Sequence, residues 1–306
     1  MPEAIRKVNV IGHLNPDTDS ICSAIAYAYL KNKLGNTDIY EARRAGSVNR
    51  ETAFALKHFG FAEPELITTV TPQIKDCEVQ KQDGIEAGMS LFAAWSRMRE
   101  TGTDTLCITD EQDNLGGLIA VKDIANANLD IFDTEVIAES ATSYANIVST
   151  LNGEMLLGDP EATVTEGSVR VGTTPEMMED TVKKGDLVLV TNRYETQQFA
   201  VECDASCIVV CCGAHVSPQV MASAKRHGCA IIATPYDTYA ASCLICMSIP
   251  VSAKMHRDGI VKLSVNTSVD DAKKTIASSR HRFFPVIDEE GKYKGLVSTP
   301  SLLTAK

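Results

Sequence analysis

DTLCITDEQDNLGGLIAVKDI at 104–124 and RFFPVIDEEGKYKGLVSTPSL at 282–302 are two versions of one text, and they align without a gap. Asp110 falls on Asp288, Gly117 falls on Gly295, and the apolar runs on either side coincide. Upstream of each copy a strand leads into a helix, SLFAAWSRMRE before the first and SVDDAKKTIASS before the second. Each unit therefore reads as strand, helix, strand, acidic turn, strand, helix. DEQDN and DEEGK are the hairpin loops between buried strands. Such internal duplication predicts two copies of one module.

Working outward, the region between the repeats carries its own α/β pattern. GDLVLVTNR and ASCIVVCCGAH read as buried strands, QVMASAKRHG as a helix closed by Gly228, and CAIIATPYDTYAASCLI as a strand followed by a helix. The opening 64 residues alternate again. KVNVIGH is a short strand, Ser20 to Leu34 is a helix capped by Asp19 or Ser20 and stopped by Gly35, DIYEARR is a second strand, and NRETAFALKHFG is a second helix ended by Gly60. This is the βαβα start of a parallel sheet, too small to bury its own hydrophobic edge.

The 306 residues are 44% hydrophobic and 23% charged, enough for two or three globular domains. A net charge of -11 argues against nucleic acid and against an anionic membrane surface as partners. With no apolar run of membrane length and a polar amino terminus, the cytoplasm is the expected location. The ten cysteines then stay reduced, five of them (Cys203, Cys207, Cys211, Cys212 and Cys229) in one apolar region. Core packing is expected for all ten. Cys243 and Cys246 form a lone CxxC with no second ligand pair nearby.

The chemistry-bearing motif is NVIGHLNPDTDSI at 9–21. His13, Asp17 and Asp19 follow an apolar strand and precede a helix. Open α/β sheets bind ligands at that end of their strands. Imidazole and carboxylates suit Mn²⁺, Mg²⁺ or Co²⁺. Two such ions about 3.5–4 Å apart can clamp a phosphoryl group and activate water for in-line attack. The bland alternative is an acidic turn with one N-capping aspartate and an incidental histidine.

HLNPDTDSICSAIAYAYLK with GSVNRETAFALKHFG resembles the amino-terminal end of family II, manganese-dependent inorganic pyrophosphatases of the DHH superfamily. The paired repeats resemble CBS domains, and the middle region, through GDLVLVTNR and ATPYDTYAAS, resembles a DRTGG domain. A regulated subset of that family carries CBS, DRTGG and CBS in this order. The resemblance implies an α/β fold with an incomplete DHH-type βαβα segment at 1–64, a CBS (βαββα) unit at 67–129, a small DRTGG-like α/β domain at 130–246 and a second CBS unit at 247–306, the two CBS units forming a pair. It further implies hydrolysis of pyrophosphate to two phosphates, two Mn²⁺ (or Mg²⁺ or Co²⁺) per complete site, and AMP, ADP or ATP as regulatory ligands. A homodimer through the CBS units is implied as well.

The family's later metal ligands include an Asp-His-His triplet, which this sequence lacks; His58, His215, His227, His256 and His281 stand singly. His13, Asp17 and Asp19 are then one wall of an active site, and this chain is expected to be inactive by itself. The second reading is a catalytically silent adenine-nucleotide sensor, a truncated product that regulates a partner.

In CBS pairs the ribose rests on a polar or acidic residue at the start of the last helix, with Ser or Thr three residues earlier. The first unit supplies Asp123 but has Ala120; the second supplies Ser298 but has Ser301 in the acid's place. SSRHRFFP gathers Arg280, His281 and Arg282 for phosphate and Phe284 for the adenine face. The matching segment of the first unit holds Thr105 and, opposite Arg282, Asp104. An acid there would repel a second phosphate, so unequal positions are expected, the second unit dominating.

Overall fold

The computed structural model describes residues 7–35, 38–129, 134–277, 279 and 281–304. The chain divides into two compact units, Met1–Pro72 and Gln73–Lys306.

In the first unit β1 (Lys7–Ile11), α1 (Thr18–Lys33), β2 (Ile39–Arg44), α2 (Arg50–Phe59) and β3 (Glu65–Leu66) make a parallel sheet in the order β1-β2-β3. The third strand is short and was not legible in the sequence; it pairs Glu65 with Arg43 and Leu66 with Arg44. Helix α1 starts two residues earlier than the sequence suggests. Its N-cap is Asp17, not Asp19 or Ser20, because Asp17 Oδ1 accepts from the Ser20 N–H at 2.9 Å. The two helices lie side by side and share a hydrogen bond between the hydroxyls of Thr18 and Thr52, 3.0 Å. Parallel strands in sequential order with right-handed crossovers put both helices on one sheet face. No residue of β1 or β2 is fully buried, and Phe54, Phe59 and Val70 are each more than two-thirds exposed.

The second unit opens with α3 (Leu91–Thr101), the hairpin of β4 (Thr105–Thr109) and β5 (Leu115–Ala120), and α4 (Val121–Leu129). Next come α5 (Val136–Glu139), α6 (Tyr144–Thr150), β6 (Glu154–Leu157), β7 (Val169–Val171), α7 (Pro175–Met178), β8 (Leu187–Val190), α8 (Tyr194–Glu202), β9 (Cys207–Val210), α9 (Pro218–His227), β10 (Ala230–Ala233) and α10 (Thr238–Ile245). The closing part is β11 (Leu263–Ser264), α11 (Val269–Ala277), β12 (Phe283–Ile287), β13 (Tyr293–Ser298) and α12 (Thr299–Thr304).

The repeat is duplicated down to its irregularities. Both hairpins carry a register shift at the same place, between Ile108 and Thr109 in one and between Val286 and Ile287 in the other. The carboxylate that begins each turn closes it on backbone N–H groups: Asp110 on Gln112 and Asn114, Asp288 on Glu290 and Lys292. These bonds hold both carboxyls below the usual carboxylate range, for Asp110 together with the Asn114 side chain and for Asp288 together with Lys294. The two turns meet each other, Asn114 bridging to Lys292, its counterpart. Between the hairpins lies a small shared core of Cys107, Leu118, Tyr293 and Leu296.

The middle sheet runs β6-β10-β9-β8-β7, parallel except for β6 at the edge. Every residue of β8 and β9 is buried, since both faces are covered. One face joins the core of the first repeat through Leu187, Leu189, Val209 and Ile232; the other packs on α7, α8 and α9.

None of the ten cysteines is in a disulfide, but they are not all core. Cys107, Cys207, Cys211 and Cys229 are buried, whereas Cys22, Cys212 and Cys243 face solvent. Burial pushes the Cys107 and Cys229 thiols up to about 12. Among the described residues no helix is long and apolar enough to cross a membrane.

Candidate functional site

The motif of His13, Asp17 and Asp19 sits at the carboxyl end of β1. Gly12 lets the strand run directly against α1: a Cβ there would fall 1.9 Å from Ser20 Oγ. Ser20 Oγ is buried and has no hydrogen-bond partner. The next residue, His13, turns back so that its Nε2 lies 3.4 Å from Asp17 Oδ1. The Ser20 N–H, aided by His13, holds the Asp17 carboxyl below its ordinary value. Asp19, two residues along, accepts from Ser23 Oγ at 3.3 Å.

A divalent ion with ligands at about 2.1 Å holds neighbouring donors about 3 Å apart. His13 and Asp17 fit that spacing and are both well exposed. Asp19 is not brought into the same group, and among the described residues no three His, Cys, Asp or Glu side chains converge. Beside the motif, across the carboxyl ends of the three strands, lies a cleft of about 600 Å³ lined by Ile11, Leu14, Ser47, Leu66 and Thr69 among others.

The residues expected to meet a nucleotide are distributed over the paired repeats. The starts of α4 and α12 explain the half-matched pattern in physical terms. A full capping box joins a hydroxyl at the N-cap to an acid three residues on. In the first repeat only the acid half exists, Asp123 Oδ2 accepting from the Ala120 N–H at 2.9 Å. In the second only the hydroxyl half exists: Ser298 Oγ accepts from the Ser301 N–H at 3.2 Å and lies 2.9 Å from Ser301 Oγ.

Arg282 projects into solvent, 75% exposed, with Asp104 Oδ2 3.9 Å from its Nη1. Thr105 donates its hydroxyl to the other oxygen of Asp104, 3.0 Å. Thus the acid opposite Arg282 is not distant from it; the two counterparts face each other. His281 is exposed and its N–H donates to Ser279 Oγ. Arg280 lies outside the described residues.

Phe284 departs from the expectation of an open stacking face: it is 1% exposed in the core of the second repeat, with Ile74, Leu263 and Val297. Strand alternation puts Phe283 on the other side, half-buried against the shared core between the hairpins. In the middle domain Asp237 caps α10 through the Ala240 N–H, 2.7 Å, and Arg193 precedes α8 without a capping bond.

His256, which the sequence shows only as a histidine standing singly, has its Nε2 3.0 Å from Asp123 Oδ1. Its signal was positional: it stands in the segment leading into the second repeat, as Gln80 stands before the first.

Residues 146–247 match the DRTGG domain and residues 251–306 match the CBS domain. Over 298 residues, 97% of this chain and 54% of the relative, the sequence is 34% identical to a cobalt-dependent inorganic pyrophosphatase of Clostridium perfringens. It is 26% identical over 302 residues to a probable manganese-dependent inorganic pyrophosphatase of Thermotoga maritima, covering 98% of this chain and 55% of that one. The chain spans about half the length of the curated relatives it matches. Among solved structures, the CBS and DRTGG domains of the regulatory region of the C. perfringens pyrophosphatase, complexed with the activator diadenosine tetraphosphate, superpose with a TM-score of 0.69. That match is 31% identical and covers 74% of this chain and 99% of the other. With the paired repeats, the intervening α/β domain and the opening motif all in that order, the chain belongs to the family II metal-dependent inorganic pyrophosphatases that carry a CBS and DRTGG regulatory region.

Proposed function

We propose that this chain supplies the opening segment and the nucleotide-sensing region of an inorganic pyrophosphatase, hydrolysing pyrophosphate to two phosphates under the control of adenine nucleotides. The observation that carries this reading is the pairing of the two repeats, which sets Arg282 and the half-boxes at Asp123 and Ser298 within one duplicated framework.

His13 and Asp17 would hold the metal, with Asp19 completing the motif after a change of rotamer. A bound Mn²⁺ or Co²⁺ pair supplies charge neutralisation and activates water for attack on phosphorus. The chain's own residues orient that site: Gly12 sets the approach of strand to helix, and Asp17 ties the loop to the start of α1. The apolar surface that the first unit exposes, Phe54, Phe59 and Val70 among it, fits a segment meant to be covered by further catalytic structure.

At the paired repeats, Arg282, His281 and Arg280 would take phosphate, and Ser298, Ser301, Asp123 and Thr105 the ribose side. Ligands that prefer one arrangement of the pair would bias the catalytic part by their difference in affinity alone. A homodimer through the CBS units is part of the same reading.

Calorimetric titration with AMP on the native chain and on Arg282→Ala tests it. Micromolar binding that falls at least tenfold in the variant is expected. Binding unchanged in Arg282→Ala would remove the phosphate grip from the reading. A second reading, a sensor without catalysis, is favoured by the lack of a third converging metal donor among the described residues. Phosphate release from pyrophosphate with added Mn²⁺ separates the two.

A further inference from the structure

We propose that His256 occupies the ribose position of the first repeat in the ligand-free chain, so that the two nucleotide positions fill in order, the second before the first. The inference rests on the nucleotide reading above and adds the residue that makes the positions unequal.

Three observations converge on it. The first is the partnering of Asp123. One carboxylate oxygen accepts from the Ala120 N–H at 2.9 Å and the other lies 3.0 Å from His256 Nε2. The Asp123 side chain is only 10% exposed, so the acid that would receive ribose hydroxyls is already engaged on both oxygens and has little contact with water. A ribose diol binds a carboxylate by donating to those same oxygens, so it must displace the imidazole.

The second is the delivery of His256. Its backbone is fixed by two hydrogen bonds to Leu118, His256 N–H to Leu118 O at 2.8 Å and Leu118 N–H to His256 O at 2.9 Å. The imidazole is therefore presented to Asp123 by the segment that leads into the other repeat. It is not a wandering surface side chain, although the ring itself is half-exposed and free to swing out.

The third is the contrast with the second repeat. There the counterpart of His256 is the exposed Gln80, bridged in the same way to Leu296. The counterpart of Asp123 is Ser301, whose hydroxyl faces that of Ser298. Two hydroxyls, each able to donate or accept, exchange partners more cheaply than a carboxylate leaves an imidazole. The second position is open where the first is shut.

Calorimetry with AMP and with adenosine on the native chain, His256→Ala and His256→Ala/Asp123→Asn tests the assignment. The native chain should show one site per chain, with a second position at least tenfold weaker. In His256→Ala the weak position should tighten about three- to tenfold, the range of one exposed charged contact. The gain should appear with adenosine as well as AMP, because the acid reads ribose and not phosphate, and it should vanish in the double variant. Equal sites in the native chain, or a gain that survives Asp123→Asn, would overturn the proposal while leaving nucleotide binding intact. Absence of heat with AMP, ATP and diadenosine tetraphosphate in every form would overturn the nucleotide reading itself, and this proposal with it.

Discussion

Leu118 and Leu296 occupy the same place in the two repeats, and each exchanges two backbone hydrogen bonds with a segment that leads into the opposite repeat. Leu118 does so with His256 and Leu296 with Gln80, at 2.8 to 3.0 Å. The glycine before each leucine makes this exchange possible. A Cβ at Gly295 would fall 2.4 Å from the Gln80 carbonyl oxygen, and its φ of +140° excludes most side chains. At Gly117 the nearest obstacle is the flexible Met255 Sδ at 2.8 Å, with the His256 carbonyl at 3.1 Å and an ordinary φ.

Gly295→Ala should therefore destabilise the second unit by about 2–3 kcal/mol and Gly117→Ala by about 1 kcal/mol. Urea unfolding midpoints of the two variants check the order. Equal losses would mean that the exchanged segments yield at both places alike.

Much of this architecture was legible because a duplication states itself twice. Asp110 with Asp288 and Gly117 with Gly295 identified turn and strand correctly, since a turn carboxylate and a strand glycine serve backbone geometry that both copies share. What escaped was set by partners distant in sequence. The short β3 exists only because Arg43 and Arg44 offer it an edge. Helix α1 begins at Thr18 because Asp17 caps it, a choice among the four consecutive capping-type residues Asp17, Thr18, Asp19 and Ser20 that sequence alone does not rank. His256 acquires meaning only when its backbone is seen bonded to a strand 138 residues earlier.

Phe284 shows the same limit from the other side. Two aromatic residues after a basic turn suggested a stacking face, but strand alternation turns one ring of the pair wholly inward. Phe284→Ala should cost about 3–5 kcal/mol through loss of buried area and the cavity it leaves. The half-buried Phe283, truncated in the same way, should cost less than half as much. Denaturant titration of both variants checks this; a milder effect at Phe284 would mean the core of the second repeat closes over the gap.

Asp17 serves the helix and, in the proposed function, the metal, and two substitutions separate these roles. Asparagine caps a helix as well as aspartate does, so Asp17→Asn should leave the melting temperature at pH 7 nearly unchanged while lowering Mn²⁺ or Co²⁺ affinity at least tenfold. Asp17→Ala should lower both. The sign of the pH effect follows from the Ser20 N–H bond, which lowers the Asp17 carboxyl below its ordinary value of 3.8. Such a group stabilises the fold above that value and loses the contribution as pH falls through the folded value. The native chain should thus lose α1 stability below about pH 4, and Asp17→Asn should flatten that part of the curve, as followed by circular dichroism.

Asp104 offers the sharpest separation of phosphate from ribose recognition. Its Oδ2 lies 3.9 Å from Arg282 Nη1 in a pair that is largely exposed, so the attraction is weak but competes directly with an incoming phosphate. Asp104→Asn removes the competitor and a like charge together while keeping an acceptor for the Thr105 hydroxyl. AMP affinity should rise about threefold, and the gain should shrink as salt is raised from about 0.1 M to 0.5 M, where screening shortens the reach of both charges. Adenosine, which carries no phosphate, should bind the variant as it binds the native chain. A gain of equal size for adenosine would show that Asp104 obstructs the nucleoside itself, and Arg282 would then be released by contact with the base side and not by exchange of one anion for another.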